Sequence, residues 1–273
     1  MGIFDSLFGK KEKKNILFNN ESLKTAVEEW QENSSKAEKK YGHISNWNVS
    51  NVTDMYSLFS YDLYSDNEHQ PFNEDISNWD VSNVENMSHL FFCNESFNQD
   101  ISKWNVSKVK NMWRTFCWAK SFNQDISKWD VSSVTEMQEM FEAAESFNKS
   151  IGNWNVSRVT NMCKMFSSAK SFNQDISKWN VSKVKNMEGM FAGAKSFNQD
   201  IGGWNVSKVT NMLEMFSSAK SFNQNIGNWD VSNVTDVSEM FFKAYVFNQD
   251  IGNWDISNLN PNSSNNMYSM FRF

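Results

Sequence analysis

The residue types that most often carry catalysis are scarce in this chain, which has three histidines: His43, His69 and His89. None of them recurs with a carboxylate or a cysteine at a spacing that would build a metal site or a catalytic triad. Catalysis needs unlike groups that converge, whereas near-identical repeats present rows of like groups. We therefore expect a protein that is not an enzyme, with no catalytic residue, no metal and no cofactor.

The three cysteines, Cys93, Cys117 and Cys163, each fall at a different place in the repeat. No shared geometry therefore pairs them in disulfides or gathers them around a metal ion. We interpret them as buried thiols, which fits a reducing compartment.

An aspartate recurs shortly before the tryptophan of most repeats, and a calcium ladder is one interpretation of this column. Ser150 and Asn225 interrupt it, and the glycines of calcium-binding loops are missing. Turn capping is the better account. The column consists of Asp75, Asp100, Asp125, Asp175, Asp200 and Asp250.

The side chains next to each repeat tryptophan are the best candidates for a binding surface, because they must point outward if the tryptophan points inward. In the middle of the chain several of them are basic. They are Lys103, Lys108, Lys128, Arg158, Lys178, Lys183 and Lys208. This weakly basic centre suits an acidic patch on another protein, and an ordinary solvated face is the alternative.

The fold follows from the repetition. Trp-Asn/Asp-Val/Ile-Ser occurs nine times, and from Trp79 to Trp254 the tryptophans are spaced by 25 residues. A fixed period of this length indicates a solenoid, whose units bury their apolar faces only by stacking. We predict an α/β repeat solenoid, similar to leucine-rich repeats, with about nine coils.

Two hydrophobic periods follow each other inside each repeat. Trp179 and Val181 alternate with polar residues, which is typical of a strand. The following apolar residues fall at steps of three and four, which places them on one helical face. They are Val184, Met187, Met190, Phe191 and Ala194. Each coil is thus predicted to contain one short parallel strand and one short helix.

The repeat "FNQDISKWNVSKVKNMEGMFAGAKS" (Phe172 to Ser196) resembles the BspA-like leucine-rich repeats, in the 25- or 26-residue form found in surface lipoproteins of mycoplasma and Listeria. The likeness covers roughly Ile44 to Phe273. It implies a curved solenoid, similar to leucine-rich repeats, that is used for protein contact, often at a bacterial cell surface.

The ends of the chain differ from the repeats. Residues 1–19 form an amphipathic, basic segment that is either frayed or in contact with a surface. Residues 20–43 are predicted to be a helical N-terminal cap, with an apolar face of Leu23, Ala26, Val27 and Trp30. Residues 44–273 form a single solenoid, with a closing unit from about residue 258.

Two further segments are candidate contact sites. The insertion at residues 60–71 stretches one repeat and carries Tyr61 and Tyr64, and such insertions often lie on the binding face. Near the N-terminus, apolar residues share one side of a short helical pattern before four lysines, so they are candidates for membrane contact. These residues are Ile3, Phe4, Leu7 and Phe8.

Charge and targeting signals limit the partners and the compartment. The net charge is −6 and the pI about 5.2, so nucleic acid is not an expected partner. The chain shows neither the apolar core of a secretory signal nor a lipidation cysteine, so we expect a cytoplasmic protein, with membrane association as an open alternative. The family resemblance makes the cell surface the other alternative.

These observations predict a protein-binding scaffold that contacts its partner through the exposed strand face and the 60–71 loop. One alternative is a glycan-binding or adhesive module that would use exposed aromatic residues, for which Trp113 and Trp118 are the best candidates. Another is a membrane-surface scaffold anchored by residues 1–14. The sequence leaves the oligomeric state open.

Overall fold

The computed structural model describes residues 16–61, 72–259 and 270–271. In these ranges the chain forms two α-helices, α1 (Asn20–Glu32) and α2 (Ser34–Tyr41), and a 3₁₀ helix at Ile44–Asn46. The rest of the described chain consists of turns and contains no strand or sheet. The prediction of an α/β solenoid with one strand and one helix in each coil is therefore wrong.

The two helices lie in the segment for which the sequence predicts a helical cap. At the start of α1, the Asn19 side chain accepts a hydrogen bond from the Ser22 N–H at 2.9 Å, and the Ser22 hydroxyl accepts one from the Asn19 N–H at 3.0 Å. The buried side of α1 places the Trp30 ring 5.8 Å from the ring of Trp47, the first repeat tryptophan. Neither α-helix is long and apolar enough to cross a membrane. The predicted domain limits stay a prediction.

We call each 25-residue repeat a coil, name it by its tryptophan and count its positions from that tryptophan as position 1. Positions 9 to 16, which make up most of the segment predicted to be a helix, form successive turns instead. In the Trp179 coil the N–H groups of positions 9, 11, 13 and 15 donate to carbonyls of the next coil over 2.7 to 2.9 Å. An α-helix needs these N–H groups for bonds within its own segment, so the ladder between coils excludes it.

The predicted strand is also replaced by turns. Trp179 N–H donates to the carbonyl of Ile176 at 3.1 Å, and Val184 N–H donates to that of Val181 at 2.8 Å. These turns leave too few extended residues for a strand. A single parallel bridge at position 8 then joins each pair of neighbouring coils in the series of bridges from Asp54 to Asp236.

The core consists of aligned aromatic columns. The nine repeat tryptophans are buried, with at most 8% of each residue exposed, so the prediction that they point inward is confirmed. The indole N–H of Trp179 donates to the carbonyl of Ile151, 28 residues earlier in the chain, at 3.0 Å. Phenylalanines at position 13 stack between coils with ring centroids 5.6 to 5.8 Å apart. The buried rings therefore join one coil to the next.

Asparagine and aspartate side chains close up to three turns in a coil. In the Trp179 coil, Asn180 accepts from the Ser182 N–H at 3.1 Å, and Asn186 accepts from the Glu188 N–H at 2.9 Å. The aspartate column at position 22 acts in the same way, since Asp175 accepts from the Ser177 N–H at 2.9 Å. Turn capping thus explains why this column recurs.

Candidate functional site: two exposed faces of the coils

The seven predicted basic residues lie at the corners of two turns that flank the buried tryptophan. Lys103, Lys128 and Lys178 occupy position 25, whereas Lys108, Arg158, Lys183 and Lys208 occupy position 5. All seven are exposed, and none forms an ion pair with another residue of the described chain. We call the exposed positions 25, 2 and 5 of all coils the turn face. Since the described chain has no strand, the predicted strand face is corrected to this turn face.

The position 25 lysines face carboxylates of their own coil. Hydrogen bonds from the Ser177 hydroxyl and N–H lower the pKa of Asp175, and the charge of Lys178 lowers it further. Lys103 and Lys128 act in the same way on the aspartates three residues before them. The positive charge at position 25 is therefore partly balanced within the protein.

The position 5 column is the less balanced half of the turn face. Arg158, Lys183 and Lys208 lie in three consecutive coils. The exposed residue at position 2 of these coils is a neutral asparagine, whereas the Trp129 and Trp229 coils have an aspartate there. These three cations therefore have neither an ion-pair partner in the described chain nor an aspartate at position 2 of their own coils.

The structure gives less information about the other predicted contact residues. Tyr61 is half-buried, and its N–H donates to the carbonyl of Phe92 at 2.8 Å. Tyr64 lies outside the described residues, so the 60–71 loop stays a prediction. The predicted membrane-contact residues also lie outside them. These are Ile3, Phe4, Leu7 and Phe8.

A second surface comprises positions 10, 11, 14 and 15, most of which are half-buried or buried. We call it the variable face because these positions differ most from coil to coil. At position 11, for example, the residue is His89, Arg114, Glu139, Lys164 or Gly189 in successive coils. The buried positions of the same coils hardly change. Sequence reasoning missed this face, although aligning the repeats and selecting the columns that vary would have found it.

Aromatic residues gather on the variable face of the first coils. The ring of buried His89 lies 4.6 Å from that of Trp113, and 5.4 Å from those of Tyr56 and Phe92. The guanidinium of Arg114 lies 5.2 Å from the Trp113 ring. Burial lowers the pKa of His89, and the charge of Arg114 lowers it further. His89 is therefore a neutral part of this cluster at neutral pH.

The two tryptophans considered for glycan binding are placed differently. Trp113 is half-buried, and its indole N–H donates to a Glu139 oxygen at 3.4 Å. Trp118 is 40% exposed, with the ammonium of Lys120 5.4 Å from its ring. Of these two tryptophans, Trp118 has the ring that is open enough for a sugar to stack on it.

Below these rings, two carboxyl groups meet a thiol. Cys117, Glu139 and Glu142 place one ligand atom each within 4.8 Å of one another, and the Cys117 thiol donates to Glu142 at 3.6 Å. Arg114 binds Oε2 of Glu139 through Nε at 2.7 Å and through a terminal nitrogen at 2.6 Å. Trp113 and Arg114 thus occupy both oxygens of Glu139, which suits this group to holding a proton better than to binding a cation.

Burial controls the titration of this cluster. Burial raises the pKa of Glu142 to about 7, and the neighbouring Glu139 adds to the shift. Burial also acts to raise the pKa of Glu139, but the hydrogen bonds from Arg114, Glu142 and Trp113 and the charge of Arg114 together outweigh it, so that this pKa is lowered. Burial raises the pKa of the Cys117 thiol, and that of Cys163 to about 11. These thiols are therefore poor nucleophiles at neutral pH.

The remaining residues considered for chemistry lie apart. His43 packs at the helical end, 5.3 Å from the Trp30 ring, whereas His89 belongs to the aromatic cluster, and His69 lies outside the described residues. Cys93 and Cys117 are buried and Cys163 is half-buried, and no disulfide joins them.

Comparison with known proteins gives a family and nothing finer. No curated protein and no solved structure matches the chain. The description of the matching family is "Mycoplasma protein of unknown function, DUF285", and the matches cover residues 15–63, 29–132, 124–212 and 173–273. These overlapping matches agree with the tandem repetition and span the chain from residue 15 to its last residue. The chain therefore belongs to the DUF285 family.

Proposed function

We propose that this protein is a non-enzymatic scaffold that binds an acidic surface of another protein through its turn face. The observation that carries the proposal is the position 5 column, where Arg158, Lys183 and Lys208 are exposed in consecutive coils without an ion-pair partner in the described chain. Opposite charges on a partner would steer its approach and fix its orientation.

The construction of the coils supports a binding role. Hydrogen bonds between coils and the buried tryptophans hold the turn corners in fixed positions. A surface that is already ordered loses little conformational entropy when a partner binds. The same backbone can therefore present different side chains in each coil at little cost in ordering.

We also infer that the DUF285 repeats of this chain are the BspA-like repeats that the motif resembles. The 25-residue period and the mycoplasma family support this inference. This inference supports a binding role, because BspA-like repeats are associated with protein contact.

Charge reversal at two lysines of the turn face tests the scaffold. In the variant K183E/K208E, we expect binding of the main captured protein to weaken about tenfold, because attraction to an acidic surface becomes repulsion. The matched control is K195E/K220E, which makes the same charge change at exposed position 17 of the same two coils. Partners are captured from lysate by each immobilised protein, identified by mass spectrometry, and their affinities measured at about 0.15 M salt.

Equal loss of affinity in both variants would show a response to net charge alone, and unchanged affinity in K183E/K208E would place the site elsewhere.

A glycan-binding module is the second candidate, favoured by the exposed Trp118 ring. It would replace the scaffold if soluble oligosaccharides bound, if W118A abolished that binding, and if K183E/K208E left it intact.

A further inference from the structure

The carboxyl groups of Glu139 and Glu142 have one strong cationic partner between them. Arg114 is bound to Glu139 at 2.6 Å, and Glu139 keeps only 15% of its side chain exposed. Glu142 receives the weak thiol bond of Cys117 at 3.6 Å and no ion pair in the described chain. If both carboxyl groups were ionised, a partly buried negative charge would be left with little compensation.

The neighbouring coils do not supply that compensation. The preceding coil contributes Arg114, which is already used, and the thiol of Cys117. The following coil contributes the charge of Lys164 and the thiol of Cys163, and the effect of Lys164 on Glu142 is smaller than that of burial and of Glu139. A proton shared by the two carboxyl groups removes the excess charge at once.

We propose that Glu139 and Glu142 hold one proton between them, and that its loss loosens the contact between the Trp104 and Trp129 coils, so that this part of the variable face responds to pH. In the protonated pair, neutral Glu142 donates to the Glu139 carboxylate, which also accepts from Arg114 and Trp113. Deprotonation replaces this hydrogen bond with repulsion between two carboxylates. Glu142 then turns toward solvent and leaves the Cys117 thiol.

The loosening reaches the exposed aromatic surface through the backbone. Trp118 N–H donates to the carbonyl of Glu142 at 2.7 Å, so the residue that loses its proton is bonded to the one that carries the exposed indole. Trp118 also has a left-handed backbone, with φ of 62°. The hydrogen bond to Glu142 ties the position of this indole to the state of the carboxyl pair.

The direction of the pH effect follows from the two states of Glu142. Its pKa is about 7 in the folded protein, against 4.5 for the unperturbed group. Between these values the folded protein binds more protons than the unfolded chain, so this site contributes less to stability as the pH rises. The loss is complete above about pH 7.

The test compares wild type with E142Q, whose neutral amide has the shape of the protonated acid. Urea unfolding is followed from about pH 5 to about pH 8, and the ratio of the two unfolding constants is taken at each pH, which cancels the titration of His89 and other groups. Between these pH values we expect the unfolding constant of wild type to rise about tenfold relative to that of E142Q. This expected value is reduced because Glu142 is partly exposed.

The control is E214Q, because Glu214 occupies position 11, as Glu139 does, but has Ser217 at position 14, where the Trp129 coil has Glu142. E214Q should remain parallel to wild type at every pH. Carbon-detected NMR titration of the wild-type glutamates gives a measurement that does not depend on any variant. A Glu142 carboxyl that titrates near 4.5, or an E142Q curve parallel to wild type, would overturn the proposal.

Discussion

At the scale of single residues, the unusual feature is the left-handed backbone at positions 11 and 15. Gly189 and Gly193 occupy these positions in one coil, with φ of 56° and 67°. In other coils they hold residues with side chains, such as Ser218 with φ of 58°. This conformation costs roughly 1 to 2 kcal/mol for a residue with a Cβ atom. The ladder between coils must therefore offset the strain.

Replacing Ser218 with glycine should stabilise the protein, because glycine adopts the left-handed conformation without steric cost. We expect a gain of about 0.5 to 1 kcal/mol in the free energy of unfolding, measured by urea denaturation. The control is S217G, at the neighbouring residue, which is not left-handed. There glycine only adds freedom to the unfolded chain and should destabilise by about 0.5 to 1 kcal/mol. Equal effects at the two positions would contradict the assignment of strain.

Residue burial was largely predictable from the sequence, whereas backbone conformation was not. The apolar residues Trp179, Met187 and Phe191 are buried as the pattern indicates. The left-handed positions give no such signal, because they accept glutamate, lysine, arginine, serine and even the tryptophan at residue 118. The site residues Glu139 and Glu142 were missed for a related reason, since each is unremarkable until the coil brings them together.

At the scale of elements, the helix prediction failed although its periodicity was real. All five residues on the predicted helical face are buried. They are Val184, Met187, Met190, Phe191 and Ala194. Successive turns that close every three residues also bring such positions to one side, so periodicity cannot separate them from a helix. In contrast, α1 carries independent signals, including the capping pair Asn19 and Ser22, and it forms within the predicted segment.

The aspartate caps give an element-scale prediction. D175A removes the acceptor for the Ser177 N–H, and we expect a loss of about 1 kcal/mol at pH 7. D175N keeps an acceptor and should be nearly neutral, since Asn225 already accepts from the Gly227 N–H at 3.0 Å. Urea unfolding of both variants measures the difference, and a D175N variant as unstable as D175A would show that the charge matters more than the cap.

This cap also has a defined pH dependence. Hydrogen bonds from Ser177 lower the pKa of Asp175 from its usual 3.8, so the contribution is present above that value and is lost as the pH falls through the lower folded pKa. The difference in free energy of unfolding between wild type and D175A should therefore be smaller at about pH 2.5 than at pH 7. The difference between D175N and D175A should be the same at both pH values, because the amide does not titrate.

At the scale of the whole molecule, each coil is bonded mainly to its two neighbours. The backbone ladder and the phenylalanine columns connect residues of adjacent coils. The repeat period in the sequence predicted this nearest-neighbour stacking even though the elements inside each coil were wrong. Stability in such an array is close to a sum of terms for single repeats and for neighbouring contacts.

Deletion of one whole coil, Trp154–Lys178, should therefore leave a folded protein. Asn153 would then precede Trp179, so the columns of tryptophan, phenylalanine and capping residues would stay in register. We expect cooperative urea unfolding, with a slope that falls by about a tenth because one coil less is exposed on unfolding. Deletion of Trp154–Phe166 removes fewer residues but shifts every later position, and it should abolish the cooperative transition. If the shorter deletion were as stable as the longer one, the stacking of equivalent positions would not be what holds the coils together.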